Sequence, residues 1–93
     1  MIISVSLRLQ RVIKKLNKTE KIALDQSIKQ IAAQPKIGSL KTGDLAGVRV
    51  YKYPFNRQQF LLAYVLSLDE KHIVLLGYGS HENFYRDIKR QKP

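Results

Sequence analysis

Phe60-Leu61-Leu62-Ala63-Tyr64-Val65-Leu66 is the longest uninterrupted apolar run in this chain. Seven residues with no polar member read as a strand buried on both faces, which belongs at the centre of a sheet. The run is far short of the roughly 20 residues that a membrane span needs. Further strand patterns flank it. Val48 to Phe55 sets Tyr51, Tyr53 and Phe55 on one face and Val50 and Lys52 on the other. Pro54 within it marks an edge position or the strand's end. Asn56-Arg57-Gln58 reads as the connecting turn. Leu68-Asp69-Glu70-Lys71 reads as a second turn, and His72 to Leu76 as the next strand, which Gly77-Tyr78-Gly79-Ser80 leaves.

The N-terminal half has a different period. Ile2 to Ser6 alternates apolar and polar residues, a short strand, and Ser6 can cap a helix. Leu9, Val12, Ile13 and Leu16 then form one apolar stripe, opposite Arg8, Arg11, Lys14, Lys15 and Lys18. Asn17-Lys18-Thr19-Glu20 breaks and restarts the helix, with Thr19 as cap and Glu20 at the positive end of the dipole. Ile22, Leu24, Ile28, Ile31 and Ala32 give the second helix a broad apolar face that ends before Pro35. Residues 35–47 read as loop. Glu82 to Arg90 reads as a terminal helix, with Phe84 and Ile88 four apart. The expected fold is therefore α+β in the order β-αα-βββ-α. A mostly antiparallel sheet carries a helical hairpin on one face and leaves the other open, in one domain spanning 1–93.

Charge narrows the class of partner. The chain carries 17 Lys and Arg against 7 Asp and Glu, a net +10. Nine basic and three acidic residues fall in 1–46, eight and four in 47–93, so the whole domain is basic rather than one tail. Such a surface is suited to a polyanion: nucleic acid, anionic lipid or an acidic protein. Cysteine is absent, which excludes disulfides, thiolate metal sites and a cysteine nucleophile. No metal and no cofactor is expected, no membrane association, and the cytoplasm is the expected location.

The open face of the expected sheet would carry Val50, Lys52, Leu61, Ala63 and Val65, with the terminal helix starting beside it. His81 and Tyr85 are four apart and share one side of that helix. Arg86, with Arg49 or Arg57, reaches the same region. His, Tyr, Lys and Arg suit cleavage of RNA by its own 2′-OH, which needs a base, an acid and cations on the crowded phosphorane. His81 titrates near the working pH and can take either proton role. Tyr85 suits an acid, a hydrogen-bond donor or a stacking surface. Each also has a structural alternative: His81 as a helix cap, Tyr85 as core packing, Lys52 as an edge gatekeeper. His72, beside a turn, reads as simply exposed. Gly77-x-Gly79 lacks the third glycine of a dinucleotide fingerprint.

These segments resemble the RelE/ParE family of type II toxin–antitoxin toxins. Leu45-Ala46-Gly47-Val48-Arg49-Val50-Tyr51-Lys52 is similar to the family's second strand, Phe60-Leu61-Leu62-Ala63-Tyr64 to its third, and Gly79 to Asp87 to its C-terminal segment. The resemblance implies a toxin that acts in one of two ways. RelE-like members cut mRNA, most of them in the ribosomal A site, whereas ParE-like members poison DNA gyrase without catalysis. It implies catalytic roles for Lys52, Tyr85 and His81, the last standing near the family's late arginine and resembling the histidine of YafQ-type interferases; Arg86 is a further catalytic candidate from its reach to the same region. Arg49, Arg57, Lys41, Lys89 and Arg90 are the candidate RNA-binding cations. Two positions depart from the pattern: Pro54 replaces a second lysine, and Leu61 replaces the third-strand arginine, leaving Arg49 or Arg57 as candidate substitutes. The resemblance further implies a cognate antitoxin, with ribosome and mRNA as target. Operator DNA would be met only through the antitoxin complex.

Overall fold

A computed structural model of the chain describes residues 1–80 and Phe84. Strand β1 (Ile2–Val5) leads into helix α1 (Leu7–Lys14) and helix α2 (Lys18–Ala33). Then come β2 (Ser39–Leu40), a short 3-10 turn (Gly43–Leu45), β3 (Arg49–Phe55), β4 (Gln58–Leu66) and β5 (His72–Ser80). The five strands form one sheet in the order β1-β5-β4-β3-β2. β1 runs parallel to β5 and every other pairing is antiparallel. The apolar run thus lies on the central strand, as expected. Two strand expectations are corrected. The 35–47 segment contributes a fifth strand at the sheet edge, and Gly77–Ser80 prolongs β5 instead of leaving it, because these residues pair with Phe60 to Ala63.

Local signals account for the helices. The Ser6 hydroxyl caps α1 by accepting from Leu9 N–H. α2 is capped by Asn17 and not by Thr19: Asn17 Oδ1 accepts from Glu20 N–H at 2.8 Å while Glu20 accepts from Asn17 N–H. This reciprocal box satisfies two otherwise orphaned donors, and Thr19, two residues later, already lies inside the helix. Leu9, Leu24 and Ile31 turn inward onto Leu62, Tyr64, Ile73 and Leu75 and form the first core.

The opposite face is not open. Val50, Leu61 and Ala63 lie under Leu45, Val48 and Phe84, and all six are buried in a second core. The sequence expectation of a bare face fails because the 3-10 turn and Phe84 fold over it. Of the expected terminal helix only Phe84 is described, and it is helical; the rest of Glu82–Arg90 lies outside the described residues. A register shift at Ala63/Tyr64 leaves Leu76 unpaired on β5. This bulge lets adjacent residues serve different layers, Leu75 in the first core and Leu76 against the second.

A buried clasp fixes the chain after α2. Tyr64 Oη donates to Pro35 C=O at 2.7 Å and accepts from Gly38 N–H at 2.9 Å. A Cβ on Gly38 would stand 2.8 Å from the Tyr64 ring and hydroxyl, so only glycine fits this approach.

Candidate nucleic-acid face

Lys52 is exposed on β3. It pairs directly with Leu61, and alternation along the strand puts it on the same face as Val50. The ammonium therefore stands at the solvent margin of the second core. Phe84 is buried in that core at 2% exposure. Tyr85 is one peptide bond from Phe84, a Cα step of about 3.8 Å. His81, Tyr85, Arg86, Lys89 and Arg90 themselves lie outside the described residues.

Arg57 sits at the tip of the β3–β4 hairpin. Asn56 and Arg57 have φ of 52° and 61°, and Phe55 pairs with Gln58 across them. A two-residue loop with both residues left-handed matches the right-handed twist of the flanking strands. Asparagine tolerates this region, whereas arginine is held there at a cost. The tip is about 15 Å along the strand from Lys52.

Arg49 is not brought to this face. It pairs opposite Tyr64 and points to the helical side. Its Nη1 donates to Gly38 C=O at 3.0 Å and Lys36 C=O at 3.3 Å, tying down the same loop that Tyr64 holds. Lys41 is half-buried beyond β2, and its N–H donates to Val48 C=O at 2.9 Å. The structure thus gathers Lys52 and the Phe84 core on one face, places Arg57 at the end of the same hairpin, and turns Arg49 away.

Other features escaped the sequence reading. His72 is half-buried rather than simply exposed, with Nε2 2.8 Å from Ser4 Oγ. On the helical side, Tyr51, Tyr53, Phe60 and Tyr78 stack across three strands, with neighbouring centroids 5.4–6.4 Å apart. Among the described residues the buried Tyr53 and Tyr78 hydroxyls have no hydrogen-bond partner. They lie near each other without the alignment of a bond, and burial raises both phenols above their ordinary pKa. Beside this ladder a groove of about 400 Å³ separates α2 from β3, lined by Thr19, Ala23, Ser27, Tyr51, Tyr53 and Phe55. Its cause is visible in sequence: Thr19, Ala23 and Ser27 are four apart, so α2 turns a small-residue stripe toward β3.

Among the described residues no group of three or more His, Cys, Asp or Glu is placed to hold a metal ion. No described helix is long and apolar enough to cross a membrane.

Solved structures share this arrangement. A double arginine-to-alanine mutant of the E. coli RelE toxin in the free state superposes with a TM-score of 0.74 at 17% identity, covering 98% of this chain and 97% of that one. The RelBE toxin–antitoxin complex of Mycobacterium tuberculosis gives 0.73 at 16% identity, covering 86% and 96%. The intact E. coli RelBE complex gives 0.68 at 17%, covering 87% and 96%. At these identities the likeness is one of fold. No curated protein sequence matches the chain. The family model described as ParE-like toxin of type II bacterial toxin–antitoxin system matches residues 3–89. With nearly the full length matched and the helical hairpin, five-stranded sheet and strand order in place, the chain belongs to the ParE-like toxins of type II bacterial toxin–antitoxin systems.

Proposed function

We propose that this toxin is a metal-independent endoribonuclease that cleaves ribosome-bound mRNA and arrests translation. The observation that carries the reading is the exposed Lys52 beside the buried Phe84, whose chain neighbours include His81 and Tyr85. In this reading a base, His81, takes the proton from a 2′-OH, and the 2′-oxygen forms a bond to the adjacent phosphorus. The bond from phosphorus to the 5′-oxygen breaks, and an acid, Tyr85, protonates that oxygen. The products are a 2′,3′-cyclic phosphate and a 5′-hydroxyl. Lys52 and Arg86 balance the charge that builds on the phosphorane. Arg57, Lys41, Lys89 and Arg90 would contact the backbone, and the net +10 charge predicts steep salt dependence. Arg49 enters this reading only through the loop it anchors.

The partner is proposed to be a cognate antitoxin, as E. coli RelE was solved in complex with RelB and with a RelB peptide. Its acidic segment would dock on the groove beside α2 or on the Lys52 face.

Inhibition of DNA gyrase is the second reading. Leu61 favours it: at 0% exposure it puts apolar core where the resembling interferases carry an arginine. The two are separated by inducing the chain in cells, with primer extension on a reporter mRNA and pulse labelling of protein and DNA synthesis. New 5′ ends within coding sequence and prompt loss of protein synthesis are expected. Uncut mRNA with a halt in DNA synthesis would replace the ribonuclease reading with the gyrase one.

A further inference from the structure

The end of the sheet away from the Arg57 hairpin holds a cavity of its own. A cup of about 320 Å³ lies among β2, the start of β3, the end of β4 and the β4–β5 turn. Lys36, Arg49 and Glu70 line it together with Leu40, Leu66 and Leu68.

Arg49 is the charge that the fold leaves uncompensated there. Lys36 Nζ and Glu70 Oε1 stand 2.9 Å apart and neutralise each other. Arg49 meets no carboxylate among the described residues. Its Nη1 donates to the carbonyls of Lys36 and Gly38, which occupies both hydrogens of that nitrogen. The side-on edge, Nε–H and Nη2–H, is left without a partner among the described residues. Two parallel donors of this kind match the two oxygens of a carboxylate. Arg49 is also half-buried, so water screens its charge less than that of the exposed cations.

The remaining lining is apolar. Leu68 is fully exposed on the turn, Leu40 is 57% exposed, and Leu66 is half-buried. Single leucines on a surface carry no message, but these three border one cup beside an uncompensated guanidinium. The turn that presents Leu68 is fixed in advance. Ser67 Oγ donates to Asp69 Oδ1 at 2.6 Å, and Lys71 N–H donates to the same oxygen at 3.0 Å.

Charge and size identify the ligand. One uncompensated cation calls for one negative charge, and the Glu70 carboxylate on the lining repels a dianion. The volume lies at the small end of the range for ligand sites. We propose that this cup binds a small aliphatic monocarboxylate. Its carboxylate bonds Nε–H and Nη2–H of Arg49, and its hydrocarbon body covers Leu40, Leu66 and Leu68. Lys52 has no part in the site, so the proposal stands whichever target the toxin attacks.

The test uses the full chain labelled with nitrogen-15 and four probes: isocaproate, its uncharged amide, inorganic phosphate and the peptide acetyl-Gly-Gly-Leu with a free C-terminal carboxylate. Isocaproate is expected to shift the Arg49 Nε–H resonance saturably, and the amide to bind about tenfold more weakly. Arg49→Lys keeps the charge but not the fork, and should weaken isocaproate about tenfold. Because Arg49 also anchors the loop after α2, a second variant guards against misfolding. Leu68→Ser alters only a solvent-exposed side chain and should weaken isocaproate about fivefold. An Arg49 Nε–H unmoved by isocaproate overturns the proposal, as does equal binding of the amide or an unchanged affinity in Leu68→Ser. Phosphate binding as tightly as isocaproate also overturns it, reducing the cup to a general cationic surface. Tighter binding of acetyl-Gly-Gly-Leu overturns it in favour of a polypeptide C-terminus.

Discussion

Leu61→Arg tests whether the Lys52 face is a filled layer or an open surface. Leu61 has no exposed area and packs with Val50, Ala63 and Phe84. Losing its side chain from such a site costs about 2–5 kcal/mol, and the low end applies here because the arginine stem refills part of the volume. The guanidinium then needs either water or a carboxylate. Its direct cross-strand neighbour is Lys52, a like charge with Cβ about 5 Å away, which adds further destabilisation. About 2 kcal/mol of lost packing, about 1.5 kcal/mol for a guanidinium left short of partners and about 0.5 kcal/mol of like-charge repulsion give about 4 kcal/mol, a large share of the 5–15 kcal/mol that stabilises a typical domain. The assay is urea unfolding followed by circular dichroism. With a slope of about 1.5 kcal/mol per M, the midpoint should fall by about 2.5 M. Lys52→Ala alone should stay within about 0.5 kcal/mol of wild type, because its side chain is in solvent. Combined with Leu61→Arg it should return about 0.5 kcal/mol, the like-charge part of the loss. If Leu61→Arg costs less than about 1 kcal/mol, the arginine reaches water past Phe84 and the second core is not the closed layer described above.

Three further expectations follow from named contacts. Gly38→Ala should lower the melting temperature by about 10–20 °C, because the new methyl displaces the Tyr64 hydroxyl from Pro35 and Gly38 at a cost of about 2–3 kcal/mol; a shift below about 3 °C would refute the clasp. Arg57→Gly should stabilise by about 1 kcal/mol in urea unfolding, since glycine adopts φ near 61° without strain, and an unchanged or lower midpoint would contradict the left-handed assignment. Burial raises the phenols of Tyr53, Tyr64 and Tyr78, so the fold keeps their protons at a pH where the unfolded chain has released them. Their contribution is whole below pH of about 10 and shrinks as pH rises beyond it, so urea midpoints should fall between about pH 9.5 and 11; a flat profile would count against buried neutral phenols.

What the sequence disclosed, and what it hid, divides along physical lines. Phe60 to Leu66 announced the central strand because burial on both faces leaves no polar residue. The Leu9 to Leu16 stripe announced α1 because one face of it packs and the other is wet. Partners far apart in the chain left no such trace. Ser39 and Leu40 form a strand only because β3 presents a free edge, and nothing in two residues declares that. Gly77 and Gly79 read as a break, yet β5 continues through them since β4 is long enough to pair with both. The open face was inferred by counting one helical hairpin, while Leu45, Val48 and Phe84, from segments on either side of the hairpin strands, close it. Lys52 was legible as an exposed strand cation. Arg49 was read as a nucleic-acid contact on its charge, and its hydrogen bonds to Lys36 and Gly38 depend on a loop path that spacing does not encode.

The parallel pairing of β1 with β5 carries a consequence for the birth of the molecule. Ile2 aligns with His72, so the first strand cannot find its partner until 70 more residues have been made. At about 5–20 residues per second that delay is roughly 4–14 s. During it α1 and α2 can form by local contacts, but Leu9, Leu24 and Ile31 have no sheet to cover them. The toxin is thus assembled late, with its first and last strands closing together. Until β5 has been made and released to fold, the growing chain holds two helices whose apolar faces have no complete sheet beneath them.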